Sequence, residues 1–364
     1  MTAEGSLNEL ARLARTAGAL VVGRTLQRRE HPEPATYIGK GKLDEVKSAR
    51  GDTNYGVVIF DEQLAPAQQL RLESTLGVKV LDRSALILDI FASRARTREA
   101  SLQVELAQHE YLLPRLRGQW QHLDRMAGAI GSRGPGETQL ETDRRLIGAR
   151  ISRLKKDIDR VRRQRALHRR GRERGGSPIV ALVGYTNAGK SSLMRALAGA
   201  DVLVADALFA TLDPITRRIG MPGSDQAFLL TDTVGFIQKL PTQLVSAFKA
   251  TLEELESADL LLHVVDATSP DAAAQAETVL KTLDDLGLSE VPLLTVLNKI
   301  DGLVQSDGAP VETEAEAHAL ELVNPAARGM GPVLTSAVRG WGIEALKARI
   351  VSEVIEERAA AIFT

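Results

Sequence analysis

The chain contains no cysteine. That excludes disulfides, thiolate zinc sites and cysteine nucleophiles. Its six histidines (His31, His109, His122, His168, His263 and His318) lack the close spacing of metal ligands. Long hydrophobic runs are missing too: LLLHVV (260–265) is far too short to cross a bilayer. The N-terminus, MTAEGSLNEL, has neither the basic nor the apolar region of a secretory signal, so the cytoplasm is the expected compartment. Aromatics make up only 4% of the chain, against 44% apolar and 26% charged residues, a composition that fits a soluble globular protein. There is no excess of one charge sign either, the formal net charge being −1.

That neutrality hides an asymmetry. RRLIGARISRLKKDIDRVRRQRALHRRGRERGG (144–176) is overwhelmingly basic, whereas the charges between Glu253 and Glu290 are mostly acidic. A basic block this dense points to a polyanionic partner rather than to a merely solvated helix face.

At 364 residues the chain is too long for one ordinary core, and two or three domains are expected. Residues 1–97 alternate strand-like runs, ALVVGRTL (19–26), YGVVIFD (55–61) and VKVLD (78–82), with helix-like ones, KLDEVKSAR (42–50) and APAQQLRLESTLG (65–77). This order predicts a small α/β subdomain with a parallel sheet. Over 98–176 the rhythm changes. Leu102, Leu106, His109, Leu113 and Leu116 form one helical seam; Ile147, Ile151, Leu154, Ile158 and Val161 form another. The two predict a long antiparallel helical hairpin with arms of about 25 residues or more, roughly 40 Å each, the first open to a kink at Pro114. The arms are joined by the glycine-rich MAGAIGSRGPGETQLETD (126–143), where Thr138 and Glu141 have the spacing of a capping box. Arg133 at the tip, with Arg144, Arg145, Arg162 and Arg163, are the candidate RNA contacts. After GRERGGSP (171–178), residues 178–359 open on a buried-strand run, IVALV, and read as a third domain, α/β with a mainly parallel sheet.

The chemistry lies there. GYTNAGKS (184–191) has the form G-x-x-x-x-G-K-S between a strand and a helix. The backbone of Gly184, Tyr185, Thr186, Asn187, Ala188 and Gly189 would wrap phosphates, with Lys190 on the β and γ groups, Ser191 on Mg²⁺ and Ser192 following. The base is read elsewhere. NKID (298–301) ends a strand, and Asp301 can accept both N–H donors on the guanine edge, a pair that adenine lacks. Lys299 can lie over the base while Asn298 ties the loop, and TSA (335–337) places Ser336 and Ala337 near the guanine oxygen. The nucleotide is therefore GTP, with GDP as product. In DTVG (232–235) Asp232 takes the water-mediated Mg²⁺ role and Gly235 the γ-phosphate contact. Thr211 of ALFATLDP (207–214) is chosen as the third Mg²⁺ ligand over Thr216, which lies beyond Pro214. Lys190, Thr211 and Gly235 are the candidate catalytic groups.

Phe236 follows Gly235, where many such hydrolases carry a water-orienting glutamine. Three routes stay open: Gln238 swings in, a monovalent cation such as K⁺ assists beside Asn187, or a partner completes the site. The last leads, because groups supplied in trans are worth roughly 10³–10⁵ in rate for this chemistry.

Together YIGKGKLDE (37–45), FASRARTREASLQVELAQ (91–108), GSRGPGETQLETDRRLI (131–147), GYTNAGKSSL (184–193), FATLDP (209–214) and DTVGFIQKLP (232–241) resemble the HflX family of GTPases. The resemblance covers nearly the whole chain. It implies an N-terminal α/β unit, a helical hairpin and a GTPase domain. It further implies binding to the large ribosomal subunit, rRNA and proteins, with the hairpin loop directed into the peptidyl transferase region, and GTP-dependent splitting of stalled ribosomes under stress. Some members also accept ATP. Some carry a further C-terminal domain, to which the resemblance does not extend. Competing readings are a ribosome-assembly or other RNA-directed GTPase, and a protein-directed signalling switch whose basic hairpin meets an acidic protein or membrane surface. A metabolic ATPase is disfavoured by NKID. No membrane insertion is expected, and a monomer is the default.

Overall fold

The computed structural model describes residues 2–116, 135–173, 177–199, 208–209, 211–220, 227–240, 255–320, 322, 325 and 330–363; side chains of 135–140, 162, 164–173 and 355–363 are outside the description. Two units separate by their internal contacts, one spanning Thr2–Val161 and the other Arg162–Leu240 with Phe248–Thr364. Among the described residues no helix is long and apolar enough to cross a membrane.

In the first unit, α1 (Ala3–Thr16) starts where the Thr2 hydroxyl accepts the Gly5 amide, and buries Leu10, Leu13 and Ala14. α2 (Lys40–Ser48) and α3 (Arg50–Thr53) precede β1 (Val57–Phe60), and α4 (Pro66–Leu76) leads to β2 (Lys79–Asp82). β1 and β2 pair in parallel, Val57 opposite Lys79 through Phe60 opposite Asp82, as their runs predict. The expected strand at 19–26 does not form. Among the described residues the segment has no strand partner, and its apolar side chains stand out, Leu20 at 86% exposure. An apolar run with two valines favours an extended chain, but a strand also needs a neighbour for its main-chain groups. Its C-terminal end is held by side chains instead: Lys42 donates to the Thr25 hydroxyl, and the Gly39 amide donates to Gln27.

β2 turns directly into α5 (Arg83–Arg94) at Asp82, whose Oδ1 caps the Ala85 amide at 2.8 Å. The same fully buried carboxylate accepts Tyr111 Oη at 2.9 Å, Arg115 Nη2 at 3.0 Å and the Leu64 amide at 3.1 Å. Tyr111 lies on α6 (Arg98–Leu112) and Arg115 just beyond it, so one acid ties the strand, the next helix and the exit of α6 together. A buried charge is tolerable only with this many partners. Arg83 likewise pairs with Glu9 and Asp61.

The first hairpin arm is interrupted at Pro114, as expected: α6 ends at Leu112, Leu113 keeps helical angles (φ −51°, ψ −47°) and Leu116 is helical again, because proline has no amide to donate back along the helix. α7 (Pro135–Glu173) begins three residues ahead of Thr138, so Thr138 sits inside the helix rather than capping it; a proline in the first turn forfeits no helical hydrogen bond. The two seams do meet: Leu106 packs with Leu154 and Ile158, flanked by Leu102 and Ile151, and Arg150 and Lys155 pair with Glu105 and Glu110. The tip, 117–134, with Arg133, lies outside the described residues, as does the side chain of Arg162.

The second unit carries a six-stranded sheet in the order β4-β5-β3-β6-β7-β8. Its strands are β3 (Ile179–Gly184), β4 (Ile215–Gly220), β5 (Ala227–Asp232), β6 (Leu260–Asp266), β7 (Leu293–Asn298) and β8 (Met330–Leu334); β4 is antiparallel to β5 and the other pairs are parallel. β6 and β7 are apolar on nearly every residue because both faces are covered. α8 (Lys190–Ala198) and α11 (Ile343–Phe363) bring Leu193, Met194, Leu346 and Ile350 onto one face, against Leu182, Leu262 and Val296. α9 (Ala272–Asp285) packs against β6 and β3, and α10 (Glu314–Ala319) precedes β8.

Two polar residues are buried on the sheet's other face. His263 and Thr295 face each other in register across β6 and β7, and among the described residues neither ring nitrogen nor the hydroxyl has a hydrogen-bond partner. Burial, with Lys190 adding to it, holds the imidazole neutral, its pKa pushed down to about 4. The unfolded chain takes up the proton near pH 6.5 and the folded chain does not, so stability is lost as pH falls through that interval. Between pH 6.5 and 5 the nucleotide-free protein should lose about 1.5 kcal/mol to this residue. Urea unfolding of the wild type and of His263→Leu over that range checks this; parallel pH profiles would assign the acid sensitivity elsewhere.

Candidate functional site

The parallel strands all deliver their C-terminal ends to one edge of the sheet, and the sequence motifs collect there, as open α/β sheets arrange their ligands. β3 ends at Gly184, with φ of +153°, where any side chain would run into the Val264 carbonyl. Asn187 (φ +63°) and Gly189 (φ +95°) curl the loop, and α8 starts at Lys190 with no side-chain cap on its first amides. An uncapped helix N-terminus preceded by a tight loop presents main-chain N–H groups to an anion. Ser192 lies half-buried in the first turn of α8.

Asn298 braces three loops. Its Nδ2 donates to the Ala188 carbonyl at 3.0 Å, while Oδ1 accepts the Ala337 amide at 3.2 Å and the Thr335 hydroxyl at 3.3 Å. Gly189 is needed here because a Cβ would meet Asn298 Nδ2. Ser336 is fully buried and its hydroxyl accepts the Arg339 amide. Asp301 lies half-buried in the turn Ile300–Gly302, and its carboxylate has no hydrogen bond or ion pair to a described residue. That is the state expected of a group reserved for a base edge.

The three expected magnesium ligands converge. Ser191 Oγ donates to Asp232 Oδ2 at 2.6 Å, Thr211 Oγ1 reaches the same oxygen at 2.9 Å, and the two hydroxyls are 2.8 Å apart. Thr216 instead bonds Thr231 across β4 and β5, so Thr211 and not Thr216 joins the cluster. Asp232 is 1% exposed and, among the described residues, its Oδ1 has no hydrogen bond. Burial raises its pKa, against Lys190, Ser191 and Thr211, which favour the anion. One buried carboxylate with an unused oxygen beside two hydroxyls is a hard-oxygen set that fits Mg²⁺. Among the described residues there is no cluster of three His, Asp or Glu; phosphate and water oxygens would have to complete the sphere.

Lys190 is buried and folded back, its Nζ donating to the carbonyls of Tyr185 at 2.9 Å and Gly184 at 3.0 Å. Burial lowers its pKa to about 8; Asp232 opposes the shift and nearby Lys299 adds to it. DTVGF lies directly alongside. The Phe236 amide donates to the Gly184 carbonyl at 3.0 Å, and the Thr186 amide donates to the Phe236 carbonyl at 2.7 Å. A Cβ on Gly235 would come within 2.9 Å of Lys190 Nζ and 2.8 Å of Thr186 Cα.

The water-orienting candidates are not gathered in the same way. Phe236 is 3% exposed and packed into the wall. The Gln238 side chain reaches Thr278 on α9 at 3.4 Å, and its main-chain amide donates to Tyr185 Oη. Asn187 is exposed, with no hydrogen bond from its side chain to a described residue. Two contributors escaped the sequence reading: Asp266, whose Oδ2 pairs with Lys299 at 2.7 Å, and Thr335. Asp266 closes LLLHVVD opposite Asn298, a register that becomes visible only once β6 and β7 are paired. Of the basic candidates, Arg145 and Arg163 are exposed on α7 and Arg144 is half-buried.

Comparison with known proteins agrees with this geometry. Residues 4–92 match the family described as GTP-binding GTPase N-terminal, 94–172 the GTP-binding GTPase middle region, and 179–299 the family described as 50S ribosome-binding GTPase. The GTPase HflX of Caldanaerobacter subterraneus subsp. tengcongensis is 53% identical over 298 residues, 82% of this chain and 69% of that protein. The GTPase HflX of Chlamydia pneumoniae is 44% identical over 361 residues, 98% of this chain and 73% of that protein. The crystal structure of the SsGBP and GDP complex superposes with a TM-score of 0.51 at 27% identity, covering 98% of this chain and 97% of that one. With the phosphate loop, the base-reading loops and all three regions in place, the chain belongs to the HflX family of GTPases.

Proposed function

We propose that this GTPase binds the large ribosomal subunit in its GTP form and splits stalled ribosomes under stress, with the ribosome completing the hydrolytic site. The single observation that carries the reading is the wall at Phe236: a side chain buried where an orienting amide would stand, with Gln238 bonded to Thr278. Such a site binds and switches but hydrolyses slowly by itself. A basic α7 with Arg145 and Arg163 exposed supplies the polyanion contact, and the matched 50S ribosome-binding GTPase family names a partner of the right charge. On this reading the protein acts in the cytoplasm, partly ribosome-bound.

In the mechanism, the amides of 185–191 would wrap the phosphates and Asp301 would take the guanine edge. Lys190 must leave the carbonyls of Gly184 and Tyr185 to reach the β and γ phosphates, and the Gly235 amide then faces the γ group. Ser191, Thr211 and Asp232 are the residues that would hold Mg²⁺, which when bound neutralises developing phosphate charge. Phe236 keeps bulk water from the Lys190 side of the site. K⁺ beside Asn187 is the internal alternative to a ribosomal group.

The test is GTP turnover by the full chain, alone and with purified large subunits, in KCl and in NaCl. Stimulation of roughly 10³-fold by the subunits, weakening steeply with added salt, is expected. Fast turnover without ribosomes that needs KCl would assign the water to the cation. Turnover unchanged by either would remove the mechanistic case for a ribosome factor.

A further inference from the structure

We infer that Asp266 is a positioning residue for guanine recognition, acting through Lys299; this rests on the reading of 298–301 as the base-binding loop. Asp266 is the last residue of β6, in register with Asn298 at the end of β7. One carboxylate oxygen, Oδ2, pairs with Lys299 Nζ at 2.7 Å. The other, Oδ1, accepts the Thr268 hydroxyl at 2.6 Å and the Thr268 amide at 3.0 Å. The carboxylate is thus fixed from one side by its own turn and offers its second oxygen to the lysine.

Lys299 needs such a hold. Its backbone is left-handed, φ +67°, a conformation that costs a residue with a Cβ and that directs the chain sharply out of β7. Its stem crosses the phosphate loop, Cε lying 3.9 Å from a Cβ placed on Gly189. The base would lie against that stem. Its charged neighbours are opposite in effect: Asp266 attracts the ammonium, while Lys190 is close enough for the two lysines to repel. Without the carboxylate a flexible four-carbon chain would leave the loop for solvent. Thr268 also touches the far side of the base loop, its Cγ2 being 3.0 Å from a Cβ placed on Gly302, next to Asp301. Asp266 and Thr268 therefore form the floor beneath 299–302. The ion pair is partly exposed, with 33% of the Lys299 side chain and 18% of that of Asp266 accessible, so orientation rather than stability is its main consequence.

The test compares GDP with inosine diphosphate, which lacks the 2-amino group, by competition against a fluorescent GDP on the full chain. Asp266→Asn keeps the shape and the Thr268 contacts but removes the charge. It should weaken both nucleotides about tenfold and leave their ratio unchanged, because the stem and not the edge reader is disturbed. Lys299→Met should do the same, and the double variant should lose no more than the worse single one. Thr268→Val, which leaves the ion pair in place, should give a smaller loss in the same direction and serves if Asp266→Asn does not fold. Additive losses in the double variant, unchanged affinity in Asp266→Asn, or a changed GDP-to-inosine ratio would each overturn the proposal. A wild type that binds both nucleotides equally would instead overturn the base-loop reading itself.

Discussion

Asp301→Asn is expected to lower the affinity for GTP and GDP by roughly 10³-fold or more and to create a preference for xanthosine nucleotides. The carboxylate is half-buried, has no hydrogen bond or ion pair within the described residues, and sits on a turn anchored by Ile300, which is fully buried. Among the described residues no group competes for it, so its hydrogen-bonding capacity is available to a ligand. Guanine offers two N–H donors to two acceptor oxygens. An asparagine there offers one acceptor and one donor, leaving a guanine donor facing a donor, and buried mismatches of this kind are far costlier than the loss of a contact. Xanthine, with a carbonyl in place of the 2-amino group, restores the match. Competition binding with GDP and xanthosine diphosphate measures both halves of the statement. Retained GDP affinity would show that the base is read by another group.

The second large effect is at Gly235. Gly235→Ala should reduce hydrolysis by roughly 10²–10³-fold, the range for removing one preorganised donor, while leaving GDP affinity within a few-fold. The added methyl meets the Thr186 main chain at 2.8 Å and the Lys190 ammonium at 2.9 Å. The ammonium can move, but the loop backbone cannot without disturbing the phosphate amides. Residue 235 must then withdraw, carrying its own N–H away from the γ position. GDP has no γ-phosphate and should not register the change. Single-turnover hydrolysis with and without large ribosomal subunits, beside GDP titration, separates the two; equal loss of binding and turnover would mean the loop has collapsed rather than lost a donor.

Much of this site could be read before any fold was known, because its motifs combine local backbone geometry with fixed chemistry. Gly184, Lys190, Ser191 and Asn298 each stand where spacing alone puts them, at the ends of strands that announce themselves as apolar runs. Thr211 could be separated from Thr216 because Pro214 breaks the chain between them, and the hydrogen bonds of the two threonines go to different partners. What depends on pairing between distant segments was not legible. Asp266 is one more strand-end acid until β6 lies beside β7. The run at 19–26 has the apolar composition of a strand, yet no composition states whether a neighbour will be there to bond it. The interruption of α6 between Leu112 and Leu116 was legible by contrast, because Pro114 has no amide to donate and says so in the sequence.

The two main-chain hydrogen bonds between Phe236 and the phosphate loop can be restated as a population. At a net value of about 1 kcal/mol each, and with about 2 kcal/mol more for exposing the buried Phe236 ring, a released form of residues 235–236 would hold roughly 0.1% of molecules. A factor built this way spends most of its time closed. A partner that prefers the released form has about 4 kcal/mol to overcome, more than ordinary coupling between distant sites but less than the binding energy of a micromolar complex. Such a threshold keeps the free protein quiet and leaves release to a partner that binds well.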